Sequence, residues 1–316
     1  MSRLGLGLAA VARPAYITPD RDRDLGPQRD VTMLRQRSAG LLDAAYEAGI
    51  RYFDVARSYG RAEEFLAGWL SDHPEADDAI VGSKWGYRYV GGWRMDADVH
   101  EVKDHSLAAF SEQLAQTRAL LGERLAVYHI HSATLDTGVL DDTALHRALA
   151  DLQARGVRVG LSTSGPRQAE TVRRALEVAV DGVPLFTSIQ STWNPLEPSV
   201  SAALAEAAAR GARVIVKEAL ANGRLAPGSS DGTAGARRAA QLASAWETSV
   251  DQLAIAAALA QPWAWRVLSG AVTSHQLASN LAAAQVELPD GWLKELESLA
   301  EPAHAYWANR SGRPWT

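Results

Sequence analysis

Eight times along this chain a short apolar or β-branched run is followed by a longer segment with helical spacing. No other feature restricts its fold as strongly. The predicted strands are Leu4–Ala10, Arg51–Val55, Ala79–Ser83, Leu125–His131, Val157–Ser162, Leu185–Gln190, Arg213–Val216 and Arg266–Ser269. Between them apolar residues recur at three and four: Leu107, Phe110, Leu114 and Leu121 precede Gly122, and Leu145, Leu149 and Leu152 precede Gly156. A glycine between helix and strand is the residue best able to close the last turn in a left-handed conformation. Repeated strand–helix–strand units mean parallel strands with right-handed crossovers. Eight of them without a break in composition predict an α/β fold, a (β/α)8 TIM barrel forming a single domain over 1–316. An open doubly wound sheet would require a Gly-rich phosphate turn, and Gly5-x-Gly7 lacks both the third glycine and the following helix.

Composition narrows the function. The net charge of −5 over 316 residues argues against a nucleic-acid surface. No apolar run approaches the ~20 residues of a membrane span. With no cysteine, thiolate metal sites and cysteine nucleophiles are excluded. The opening MSRLGLGLAAVARP has the outline of a minimal leader peptide, but its apolar run is short and reads better as a buried first strand, giving a cytoplasmic expectation. Thr18–Asp30, Ser132–Asp142 and Ala221–Gly235 read as long loops at the C-terminal face of the strands, where barrel active sites lie. The tail, about 302–316, is expected to pack near that face.

Chemistry should then collect at strand C-termini. Strand two ends in Asp54 with Tyr59 just beyond, strand three in Lys84, strand four in His131. Strand five offers Ser162 and Thr163, strand six Gln190, strand seven Lys217 and Glu218, while strand eight runs through Gly270 into a helix N-terminus. Taken singly, Asp54 caps a turn, Tyr59 and His131 are structural, and Lys84 is a surface charge. Taken together, a carboxylate, phenol, ammonium and imidazole form a proton-transfer device. In it Lys84 lowers the phenol pKa of Tyr59, and His131 orients a substrate oxygen. No side chain supplies a hydride, so reduction of a carbonyl would require a nicotinamide.

The stretches GIRYFDVARSYGRAEEFLAGWL, VGSKWG and LAVYHIHS, continued by VRVGLSTSG, SIQSTWNPLEP, VIVKEALANGRL and VLSGAVTSHQLASNL, resemble the aldo-keto reductases along the whole chain. The resemblance implies carbonyl reduction or alcohol oxidation by NADPH/NADP, with Asp54, Tyr59, Lys84 and His131 as the tetrad and Tyr59 as general acid/base. It also implies that Ser162 and Gln190 hold the nicotinamide carboxamide, and that Leu220, Asn222, Gly270, Thr273, Gln276 and Asn280 hold the pyrophosphate and adenosine. Three positions depart from the family pattern. Thr163 replaces an asparagine. Lys217 stands where many members stack a tyrosine on the nicotinamide. Gly270, Ala271 and Gln276 replace the usual partners of the 2′-phosphate, which leaves NADH/NAD open.

His129 shares a strand face with His131 and reads as barrel interior rather than a metal ligand, and His275 as an exposed helical residue. Trp85 and Trp193 are expected to wall an apolar substrate pocket. The rival readings are a Schiff-base aldolase or lyase using Lys217 or Lys84, and a slow nicotinamide-binding sensor. The expected partner is a small carbonyl or alcohol; oligomeric state is left open.

Overall fold

The computed structural model describes residues 2–18 and 21–316. The eight barrel strands are β1 (Leu4–Gly7), β2 (Tyr52–Asp54), β3 (Ile80–Trp85), β4 (Leu125–Ala133), β5 (Arg158–Thr163), β6 (Ser188–Thr192), β7 (Arg213–Lys217) and β8 (Ala264–Ser269). They close in the order β1-β8-β7-β6-β5-β4-β3-β2, every pair parallel. The helices outside them are α1 (Val31–Glu47), α2 (Ala62–Asp72), α3 (Leu107–Leu121), α4 (Thr143–Ala154), α5 (Gln168–Leu176), α6 (Ser201–Ala209), α7 (Ala234–Ala245), α8 (Val250–Leu259), α9 (Ser274–Ala282), α10 (Trp292–Glu297) and α11 (Ala303–Ser311). A one-turn helix, Arg21–Leu25, lies within the predicted Thr18–Asp30 loop, whose residues 19 and 20 fall outside the described ones. A hairpin, Tyr87–Tyr89 against Glu101–Lys103, rises after β3.

Strand alternation divides the core in two. Outward residues such as Leu6, Phe53, Val81, Leu161, Ile189 and Val216 are fully buried against the helices, each such side chain contributing roughly 1.5–3 kcal/mol of burial energy. Inward residues form a smaller apolar layer, Tyr52, Val127, Ile215 and Leu268, beneath the polar strand ends. Two inward glycines make room for it. A Cβ on Gly82 would lie 2.2 Å from the Tyr52 hydroxyl, and one on Gly160 2.0 Å from the Ser188 carbonyl oxygen and 2.7 Å from the His129 ring. His129 therefore sits inside the barrel, its Nε2 2.8 Å from Ser188 Oγ. Side-chain caps begin several helices, including Asp30 at α1, Ser106 at α3, Asp142 at α4 and Thr273 at α9. Among the described residues no helix is long and apolar enough to cross a membrane.

Candidate active site

The inward register that packs Tyr52 at the base of β2 places Asp54 at its top, and the same period brings Lys84, His131, Gln190 and Lys217 to the C-terminal mouth. Lys84 is fully buried and donates to Asp54 Oδ2 at 2.5 Å and to the Val55 carbonyl at 3.1 Å. The other Asp54 oxygen accepts from Gln190 Nε2 at 2.8 Å. Asp54 thus neutralises a buried ammonium and turns the Gln190 amide. Removing one member of such a pair strands a buried charge.

The Tyr59 hydroxyl lies 3.4 Å from His131 Nε2, and Lys84 Nζ is 4.8 Å from the Tyr59 ring centroid. The expected lowering of the phenol pKa is not what this geometry produces. Burial, then the Asp54 charge, hold Tyr59 well above its usual value, so the phenol keeps its proton. Burial also holds His131 well below the usual imidazole value, with the Lys84 charge adding, so its ring is neutral. Ser58 Oγ lies 3.4 Å from His131 Nδ1 on the other side.

These residues open into a cavity of about 500 Å³ lined by Asp54, Tyr59, His131, Gln190, Lys217, Leu220, Asn222, Gly270, Gln276 and Asn280 of the predicted set. Thr163 and Thr273 do not line it. Period two turns Thr163 outward, where its hydroxyl meets Ser191 and Gln168, and Thr273 caps α9. Ser162 accepts from the Ser132 amide at 2.8 Å, and Ser164 lines the cavity in its stead. Trp85 and Trp193, expected to wall a substrate pocket, do not line this cavity. Trp85 follows the inward Lys84 and packs outward on Phe110 at 5.1 Å. Trp193 follows the inward Thr192 and packs on Trp263 at 5.9 Å, donating to Ser201.

Other side chains complete the wall. Arg13 is 2% exposed, donates to Glu101 Oε1 at 2.6 Å, and lies 4.8, 5.0 and 4.9 Å from the rings of Tyr16, Tyr59 and Trp315. Trp315 stacks on His100 at 4.4 Å and 12°, and residue 316 pairs with Tyr16 through two backbone hydrogen bonds. Lys217 donates to Thr192 Oγ1 at 2.6 Å, and burial lowers its pKa to about 8. Its neighbour Glu218, held far below the usual carboxylate range chiefly by Arg310 and Lys217 against the cost of its burial, receives the Arg310 guanidinium on both oxygens. His275, expected on the open surface, is exposed but lines the cavity.

The cavity fits a dinucleotide. Gln190 Oε1 and Asn222 Oδ1 are buried without a hydrogen-bond partner among the described residues, and both residues line the cavity. Each is an acceptor awaiting a donor. The N-terminus of α9 borders the other end, where Gly270, Ala271 and Val272 line the wall, and a helix start of this kind attracts phosphate. Gln276 there is already engaged, its Oε1 with the Val272 amide and its Nε2 with Asp24.

Comparison with known proteins finds relatives along most of the chain. The chain is 27% identical over 297 residues to the uncharacterized oxidoreductase YqkF of Bacillus subtilis (strain 168), covering 88% of this chain and 92% of that protein. It is 26% identical over 179 residues to the pyridoxal 4-dehydrogenase of Microbacterium luteolum, covering 46% and 50%. Its fold matches that of an aldo-keto reductase from Bacillus halodurans solved in holo form, with a TM-score of 0.70 at 21% identity over 96% of this chain and 93% of that one. The aldo/keto reductase family model matches residues 25–301, and the chain belongs to that family.

Proposed function

We propose that this protein reduces an aldehyde, ketone or sugar carbonyl with a nicotinamide cofactor, or runs the reverse alcohol oxidation, with Tyr59 as general acid/base. The observation that carries the reading is the Tyr59 hydroxyl meeting His131 Nε2 at 3.4 Å over a cavity lined by two residues with unsatisfied amide oxygens, Gln190 and Asn222. A bound nicotinamide supplies the hydride. Gln190 would hold its carboxamide through the acceptor that Asp54 has turned toward the cavity, whose wall carries Ser164 rather than Ser162. Leu220, Asn222, Gly270 and Asn280 hold the rest. His131, neutral, donates to the substrate oxygen and fixes it beside Tyr59, which gives its proton as the alkoxide forms. A phenol with a raised pKa suits the reducing direction, because the acid form is populated at every physiological pH.

NADPH and NADH compete for one end of the cavity. Asp24 beside Gln276 brings a carboxylate to the region that the resemblance assigns to the 2′-phosphate, while Arg23 brings a cation and His275 an imidazole to the same wall. A tryptophan-fluorescence titration with each cofactor reads which set prevails. Lys84 drops out of the Schiff-base reading, because its buried Nζ serves Asp54 and Val55. Lys217, in the cavity with a lowered pKa, keeps it; borohydride trapping of a carbonyl substrate there would support an imine-forming enzyme.

The test is Tyr59→Phe. Carbonyl turnover should fall about 10²–10⁴-fold while cofactor affinity and folding stay near wild type. Turnover unchanged in that variant refutes the role.

A further inference from the structure

At the N-terminal mouth of the barrel, opposite the cavity, the inward register carries arginine where a barrel normally packs apolar side chains. Gly160, Ile215 and Leu268 point inward, so two residues earlier on each strand Arg158, Arg213 and Arg266 do too. Arg3 adds a fourth guanidinium at the rim, bonded to the carbonyls of Leu259, Gln261 and Ala264. The register of β7 against β8 shifts between Val214 and Ile215, which frees Trp265 from strict alternation and lays its indole against Tyr52 at 5.4 Å as the floor of the inner core.

Two guanidinium carbons sit on that one indole, Arg213 at 4.6 Å and Arg266 at 4.2 Å from its centroid. Arg158 and the Arg213 backbone amide share the Thr187 carbonyl, at 3.3 and 3.0 Å. Among the described residues Arg3, Arg158 and Arg213 form no ion pair, and the Arg213 guanidinium makes no hydrogen bond. Both Arg158 and Arg266 are held below the usual guanidinium value, first by burial and then by the charge of Arg213. Like charges gathered in a half-buried mouth repel one another unless an anion joins them, and guanidinium forks are the groups best shaped to take phosphate oxygens two at a time.

We propose that the N-terminal mouth of the barrel is a binding site for a multiply charged phosphate-type oxyanion, held by Arg158, Arg213 and Arg266 over the indole of Trp265. The site is separate from the cofactor cavity, which opens at the other end of the strands, and stands whether or not the catalytic reading does.

Isothermal titration of the full chain with inorganic pyrophosphate at fixed ionic strength tests this. Expected is saturable binding of one anion per chain. Arg213→Gln and Arg158→Gln should each weaken it at least tenfold, Arg213→Lys should weaken it less, and Asn222→Ala in the cofactor cavity should leave it unchanged. In low-salt buffer without the anion, Arg213→Gln should melt no lower than wild type, because it relieves repulsion. Phenyl phosphate titrated alongside separates the sources: tighter binding of the ester assigns the site to an organic phosphate, tighter binding of pyrophosphate to the inorganic ion. Absence of saturable binding in the wild type, equal affinity in both glutamine variants, or loss of binding in Asn222→Ala would overturn the proposal.

Discussion

One carboxylate, Asp54, joins Lys84 at 2.5 Å and Gln190 at 2.8 Å, so the residue that neutralises the buried ammonium also aims the amide. Asp54→Asn should therefore have two effects. Stability should drop by about 3 kcal/mol, because Lys84 is left as an uncompensated buried charge, and cofactor affinity should fall as Gln190 loses its anchor. Urea denaturation and a cofactor titration measure the two separately. Gln190→Leu should reproduce only the second.

Lys217 gives a pH dependence with a definite sign. Burial lowers its pKa from 10.5 to about 8 in the folded state. Between those values the unfolded chain binds more protons, so stability rises with pH from about 8 to about 10.5. Below pH 8 the charged form costs about 3 kcal/mol of folding energy. Lys217→Met should accordingly be more stable than wild type at pH 7, and the difference should vanish near pH 10.5. Denaturant midpoints across that range check this. The same charge beside an oxidised, cationic nicotinamide would weaken oxidised over reduced cofactor at pH 7, and the Met variant should lose that bias.

How far the site could be read from sequence depends on where each residue's position is decided. Asp54, Tyr59, Lys84, His131, Gln190 and Lys217 lie on or next to strands, and a polar residue ending an apolar run points to a barrel mouth without further information. The same period-two rule, applied to Trp85 and Trp193, would have turned both away from the cavity, since each follows an inward residue. Thr163 falls to the same argument. The wall is another matter. Arg13 meets Glu101 across 88 positions, and Trp315 finds His100 only once the tail lies along the loop after β1. No local pattern encodes contacts made by loops that are themselves positioned by the barrel. The lowering of the Tyr59 pKa failed for a related reason: the sequence revealed a nearby cation but not the burial, which is the largest cause.

Trp315 lines the cavity, held by its stack on His100 and its contact with Arg13; on the proposed function it walls the substrate, and Asn222 and Gly270 hold the cofactor. Trp315→Ala should raise KM for carbonyl substrate several-fold, with cofactor affinity unchanged. Steady-state kinetics beside a fluorescence titration separate the two.

Arg13 and Glu101 together tune the phenol. The Arg13 charge lowers the Tyr59 pKa and the Glu101 charge raises it, both acting on a group already held high by burial and Asp54. Glu101→Gln removes a raising influence and leaves Arg13, at 2% exposure, without the carboxylate it bonds at 2.6 Å. Two results follow. With Tyr59 as the proposed base, the alkaline onset of alcohol oxidation should move to lower pH, because the phenol then ionises more readily. Stability should fall by about 3 kcal/mol or somewhat less, as Glu101 is 17% exposed and water compensates part of the loss. A variant whose pH–rate profile overlies the wild type would separate Glu101 from the reacting proton and leave it a purely structural partner of Arg13.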